Sequence, residues 1–241
     1  MVNEIEKLGE TMIYDYRMYT LKPGATADYR AGVKEIGLPI RQRHGVTLAG
    51  WYWSEIGALN QVVHIWGYDD VKHMEEAKHA FHTDPEWTGK YVPRAQPLVE
   101  SQKTWTMNSS GFCPIYPAIG DVPADGTPEF MKKNNMVFDF RVYTFKPGGI
   151  PAYMAAAGEV ALPIRARHGI KLAGWYYGDV GDLNTVTHIW AYEDLKHFKE
   201  GKDAVNADPE WAGSYLPRVR GLLVAQNTYL MNTSEFGPVP E

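Results

Sequence analysis

The side chains best suited to chemistry sit at alternate positions in short stretches, and each stretch occurs twice. Asp15, Arg17 and Tyr19 alternate, as do Val62, His64, Trp66 and Tyr68, and so do Trp51 and Trp53. The pattern returns as Asp139, Arg141 and Tyr143, as His188, Trp190 and Tyr192, and as Trp175 and Tyr177. Alternation places each set on one face of a strand. A guanidinium, an imidazole, a phenol and indoles gathered on one sheet would make an aromatic pocket with a group for binding anions or moving protons. His64 or His188 would be the acid/base, Arg17 or Arg141 would steady a developing oxyanion, and the Trp and Tyr rings would form walls. The same residues could instead build an interface between the two copies, with Asp15 paired to Arg17 and His64 hydrogen-bonded.

A second candidate is Arg41-Gln42-Arg43-His44-Gly45 and its counterpart Arg165-Ala166-Arg167-His168-Gly169. Guanidiniums there could hold a carboxylate or phosphate. Cations near a helix C-terminus also complement the helix dipole, which is the plainer alternative. His73, His79 and His82 share a helical stretch, but the second copy has Asp203 and Asn206 at the last two positions, so a solvated face is expected and no metal site. No glycine-rich nucleotide loop and no serine nucleophile elbow is present. Cys113, the single cysteine, reads as a small apolar residue.

These residues need a scaffold, and local signals supply one. Residues near 13–21 read as a strand stopped by Lys22-Pro23-Gly24. Tyr29, Val33 and Ile36 recur at helical spacing, with a kink or restart expected at Pro39 and an end at Gly45. Leu48 to Trp53 and Gln61 to Tyr68 read as strands around a turn at 57–60. Asp69 or Asp70 can cap a second helix, Asp84-Pro85-Glu86 starts a third, and Ser101 to Asn108 closes the unit as a strand. Strand, helix, strand, strand, helix, strand is the ferredoxin-like order. Within the third strand, Val63, Ile65 and Gly67 suit packing under the helices, which would leave His64, Trp66 and Tyr68 on the other face.

The duplication fixes the domain plan. Leu38-Pro-Ile-Arg41 returns as Leu162-Pro-Ile-Arg165, His64-Ile-Trp66 as His188-Ile-Trp190, and Asp84-Pro-Glu-Trp87 as Asp208-Pro-Glu-Trp211, all in one register. Two α+β domains are expected, 12–110 and 136–235, joined by a Pro/Gly-rich linker at 111–135. An open sheet face in each invites the two sheets to close over one another. Trp53/Tyr177, Trp105/Tyr229, Ser54/Gly178 and Gly67/Ala191 are positions where the copies differ.

The composition is that of a globular chain: 241 residues, 44% hydrophobic and 22% charged, with 8 Trp and 15 Tyr. A net charge of -5 argues against nucleic acid as a partner. No apolar run is long enough for a membrane span, and the mixed-charge start lacks the marks of a signal peptide or mitochondrial presequence, so the expected compartment is the cytoplasm.

Tyr19-Thr-Leu-Lys-Pro-Gly24, Leu38-Pro-Ile-Arg-Gln-Arg-His-Gly45, His64-Ile-Trp-Gly-Tyr68 and Asp84-Pro-Glu-Trp87 together resemble the NIPSNAP family, and the resemblance extends over nearly all of both copies. It implies the dimeric α/β-barrel superfamily, here as an intramolecular barrel of two ferredoxin-like domains packed sheet to sheet. That superfamily holds cofactor-free monooxygenases, small isomerases and lyases, and haem enzymes, while some family members serve mitochondrial signalling. The reading that joins resemblance and residues is a cofactor-independent enzyme acting on a small aromatic or apolar metabolite. The alternative is a non-catalytic binding or scaffold protein, and further homo-oligomerisation stays open.

Overall fold

The computed structural model describes residues 12–114 and 135–240. Most of the expected linker therefore lies outside the described residues. The first copy runs β1 (Ile13–Leu21), helix α1, β2 (Thr47–Ile56), β3 (Gln61–Tyr68), α2 (Val71–Thr83), helix α3 and β4 (Val99–Ser109). The second runs β5 (Val137–Phe145), α4, β6 (Lys171–Val180), β7 (Thr185–Tyr192), α5 (Leu195–Ala207), α6 and β8 (Leu223–Thr233).

Prolines shape the remaining helices. Helix α1 passes from Thr26–Gly32 through a π turn, Val33–Gly37, into Leu38–Arg43. Pro39 has no N–H for the carbonyl four residues back, and the widened turn just ahead of it absorbs the loss, with Leu38 N–H donating to the Val33 carbonyl. The helix therefore bulges at Pro39 and continues. The same device precedes Pro93 in α3 (Trp87–Tyr91 and Val92–Ala95), Pro163 in α4 (Gly149–Ala156, Ala157–Ala161 and Leu162–Arg167) and Pro217 in α6 (Trp211–Tyr215 and Leu216–Val219). Helix α1 stops at Gly45, whose φ of 79° lets Gly45 N–H reach the Gln42 carbonyl and Val46 N–H the Arg41 carbonyl. Asp70 caps α2 by accepting the His73 N–H at 2.7 Å.

All strand pairings are antiparallel, and they close a barrel in the order β1-β3-β2-β8-β5-β7-β6-β4. Each copy contributes four neighbouring strands. Short seams join the two halves, Tyr52–Ile56 of β2 to β8 and Thr106–Ser109 of β4 to β6. Closure leaves no sheet edge at the seams.

Barrel closure reverses one expectation. Val63 and Ile65 point into the barrel, where Tyr14, Tyr16, Tyr52, Phe138, Phe140 and Ile189 join them. Trp51, Val62, Trp66 and Tyr68 pack outward under α1, α2 and α3, and Trp175, Val186, Trp190 and Tyr192 do so in the second copy. Thus the polar-aromatic face is the one the helices cover. The inner face needed bulk to fill an eight-stranded barrel, and aromatic and branched residues provide it.

The end of each copy crosses to the other. Ser234 N–H donates to the Trp51 carbonyl at 3.1 Å and Phe236 packs on the Trp51 ring at 5.4 Å. Ser110 N–H bonds the Trp175 carbonyl at 3.1 Å, and Phe112 packs on Trp175 at 5.1 Å. Cys113 Sγ accepts the Trp175 N–H at 3.1 Å, and burial pushes its thiol up to about 12.

Candidate functional site

Each copy encloses a cavity of about 340 Å³ between the outer face of its half-barrel and the helices covering it. In the first, β1 supplies Arg17 and Tyr19, β3 supplies His64, and β4 supplies Gln102. Arg17 and His64 are direct cross-strand partners, so register alone brings them together. The covering helices add Tyr29 and Arg41 from α1 and Trp87 and Tyr91 from α3. Arg141, Tyr143, His188, Gln226, Tyr153, Arg165, Trp211 and Tyr215 line the second cavity in the same places.

An ion pair anchors one wall. Asp15 is 2% exposed and accepts Arg17 Nε at 2.8 Å, while Arg17 Nη1 donates to Tyr19 Oη at 2.7 Å. Burial alone would raise the Asp15 carboxyl, but Arg17, then Lys78 at 2.9 Å and Thr104, hold it well below the usual carboxylate range. The second copy repeats the pair, Arg141 Nε to Asp139 at 2.7 Å and Nη1 to Tyr143 at 3.0 Å. There Lys202 lies 4.8 Å over the Phe198 ring.

The opposite wall carries a cation with no carboxylate. Arg41 is 3% exposed and lies over the rings of Trp66 (4.3 Å), Phe81 (4.5 Å) and Trp87 (4.9 Å). Its Nη1 has no hydrogen-bond partner among the described residues. Burial, followed by the nearby Arg17 charge, lowers its pKa. Arg165 lies over Trp190 at 4.2 Å and reaches Tyr192 Oη at 3.5 Å. A buried guanidinium lacking an anion is costly on its own, and an anionic ligand would offset that cost.

The histidines are donors. Trp66 Nε1–H can only donate, and it does so to His64 Nδ1 at 2.7 Å; Trp190 does the same to His188 at 2.6 Å. The neutral ring therefore carries its proton on Nε2. Burial, then Arg17 and Arg41 for His64 and Arg165 and Arg141 for His188, drive both pKa values well below 6.5. His188 Nε2 lies 3.1 Å from Tyr153 Oη, and Tyr153 donates in turn to Tyr215. His64 Nε2 has no partner among the described residues.

The structure sorts the sequence candidates. Arg17, Tyr19, Arg41 and His64 face the first cavity, and Arg141, Tyr143, Arg165, Trp175, His188 and Trp190 face the second. Trp51, Trp66, Tyr68 and Tyr192 pack behind them. Trp53 and Tyr177 do not line a cavity; Trp53 lies beneath Arg30 at 4.8 Å. His44 and His168 also turn away, to Asp84 at 3.2 Å and Asp208 at 3.4 Å, because those carboxylates tie the end of α1 or α4 to the next helix start. Of the α2 histidines, His82 lines the first cavity and His73 Nδ1 accepts the Asp69 N–H. Among the described residues no three His, Cys, Asp or Glu side chains are grouped to hold a metal ion. Sequence reasoning missed Tyr29, Trp87 and Tyr91 with Tyr153, Trp211 and Tyr215. Their retention in both copies was the available signal, but helical spacing made Tyr29 look like ordinary core.

The NIPSNAP family model matches residues 14–114 and again 138–238. The chain belongs to the NIPSNAP family. Protein NipSnap homolog 3B of Mus musculus is 27% identical over 227 residues, covering 94% of this chain and 85% of its own. Protein NipSnap homolog 3A of Homo sapiens is 26% identical over 229 residues, covering 95% and 86%. Among solved structures, a putative monooxygenase from Lactobacillus acidophilus superposes over 96% of this chain and 100% of its own, with a TM-score of 0.64 at 13% identity. That likeness is one of fold, the dimeric α/β barrel. No helix among the described residues is long and apolar enough to cross a membrane.

Proposed function

We propose that this NIPSNAP chain binds a small acidic metabolite with an aromatic or apolar body in these cavities and promotes its reaction by stabilising an enolate- or phenolate-type anion. The observation that carries the reading is the buried, carboxylate-free guanidinium of Arg41 and of Arg165, each facing a cavity of small-molecule size. Around it the side chains are chiefly donors: a second guanidinium, tyrosine hydroxyls and an imidazole Nε2–H. Preorganised donors aimed at a developing oxyanion act most strongly where water is excluded. Isomerisation, elimination and oxygenation through a stabilised anion all fit such a site.

The histidines take a donor's part in this scheme. Their Nδ1 atoms are occupied, and protonating either would break its tryptophan hydrogen bond and place charge beside two arginines. No carboxylate lines either cavity among the described residues, so the substrate's proton leaves toward water.

Phenylpyruvate in deuterium oxide tests both halves. Its binding should quench tryptophan fluorescence, because indoles line both cavities, and the protein should speed deuterium entry at its acidic carbon. Arg41→Met with Arg165→Met should abolish both effects. Binding that depends on these arginines without faster exchange, across a panel of aromatic keto acids, would leave a binding protein and sink the catalytic half.

A further inference from the structure

Equivalent strands and helices frame the two cavities, and their mouths differ in charge. At the turn into β4 the first presents Gln96, and at the turn into β8 the second presents Arg220. Arg220 is exposed, and its side chain makes no ion pair or hydrogen bond among the described residues. Three guanidiniums thus face the second cavity, Arg141, Arg165 and Arg220. Only Arg141 is matched by a carboxylate, Asp139. Two guanidiniums face the first, Arg17 and Arg41, and Arg17 is matched by Asp15. Lys78 sits on Asp15 in the first copy, whereas its counterpart Lys202 lies on the Phe198 ring. Larger apolar side chains also frame the second mouth, with Leu216, Val219 and Leu223 where the first has Val92, Ala95 and Val99.

An unmatched cation buried deep in a cavity and another at its rim suit a ligand with an acid group at each end and an apolar body between. Resting on the anion-binding reading above, we infer that the second cavity takes a two-acid ligand such as an aromatic dicarboxylate, that the first takes a mono-acid, and that the Gln96/Arg220 pair sets this difference. The inner acid meets Arg165. The outer one meets Arg220, and the body lies against Trp175, Trp190 and Trp211. The first cavity offers the outer acid only a neutral amide.

Calorimetric titration of the full chain with benzoate and with terephthalate tests the inference. Terephthalate should bind one site per chain about two- to fivefold more tightly than benzoate, as one added, partly solvated charge pair implies, and added salt should shrink that ratio. Arg220→Gln should bring the ratio to about one, and Gln96→Arg should create a second terephthalate-preferring site. A ratio near one in the unaltered protein, or one that Arg220→Gln leaves in place, would overturn the inference while benzoate binding kept the anion reading. Absence of binding by both probes would overturn the two together.

Discussion

At the base of each cavity a histidine accepts a tryptophan N–H, yet the wiring beyond it differs. His188 continues through Tyr153 to Tyr215, and its ring stacks on Trp175 at 4.5 Å and 16°. In the first copy Trp51 lies nearly parallel to Tyr29 at 6.5 Å, and His64 Nε2 is left without a partner. The residues concerned are the same in both copies, so the cause lies in their neighbours. A Cβ on Gly37 would fall 2.6 Å from Tyr91 Cε2, so Tyr91 occupies space that only glycine leaves. Ala161 stands at that position in the second copy. Tyr29 is hydrogen-bonded to Tyr91 as Tyr153 is to Tyr215, so the two tyrosine pairs are wired alike and differ only in whether the first meets the histidine. A methyl group at 161 and none at 37 is therefore the difference in packing to test.

The cross-over segments should show the largest difference between the halves. Phe236 is 2% exposed on Trp51, whereas Phe112 is only partly buried on Trp175. Phe236→Ala should cost about 3–5 kcal/mol, the usual range for a buried phenylalanine, and Phe112→Ala about half as much. Urea unfolding checks this. Equal costs, or a cost under about 1 kcal/mol for Phe236, would show that the ends do not brace the opposite copies.

That interlock marks where sequence reasoning reached and where it stopped. Gln61–Tyr68, the Asp70 cap and the Gly45 stop were legible because each depends on side chains within a few residues. The duplicated pattern also pointed to a closed pair of sheets. Which face of β3 the helices cover was not legible. Alternation separates Val63 and Ile65 from His64 and Trp66, but both faces are buried, and only barrel closure decides which is inside. The tyrosines of α1 and α3 likewise enter the site only because the helices cross above the strand residues. His44 looked equivalent to Arg41 until Asp84 claimed it.

Acid should act on both halves alike. Both histidines stay neutral in the folded protein far below 6.5, while the unfolded chain takes up protons near that value. The unfolded state therefore binds more protons in this window. Stability is full above about pH 6.5 and falls as pH drops, by about 1.4 kcal/mol per pH unit for each histidine. His188→Gln or His64→Gln should each remove about that slope between roughly pH 6.5 and 5. Burial is the largest cause for both, so the two shares should fall alike. Chemical denaturation at stepped pH measures both. An unchanged slope in the two variants would mean that the imidazoles are not held neutral.

The smallest change goes to the proposed cause of the asymmetry. Gly37→Ala gains up to about 1 kcal/mol of helix propensity, and it must displace the Tyr91 ring. The net effect on stability should stay within about 1 kcal/mol, so the readout has to be structural. Displacing Tyr91 should carry its hydrogen-bonded partner Tyr29 with it and give His64 Nε2 the hydrogen bond that His188 has. The imidazole nitrogen spectrum reports this directly, since the His64 Nε2 resonance should move to the position of His188. Ala161→Gly should move the His188 signal the opposite way. If neither resonance shifts, residue 37/161 is not what separates the two sites.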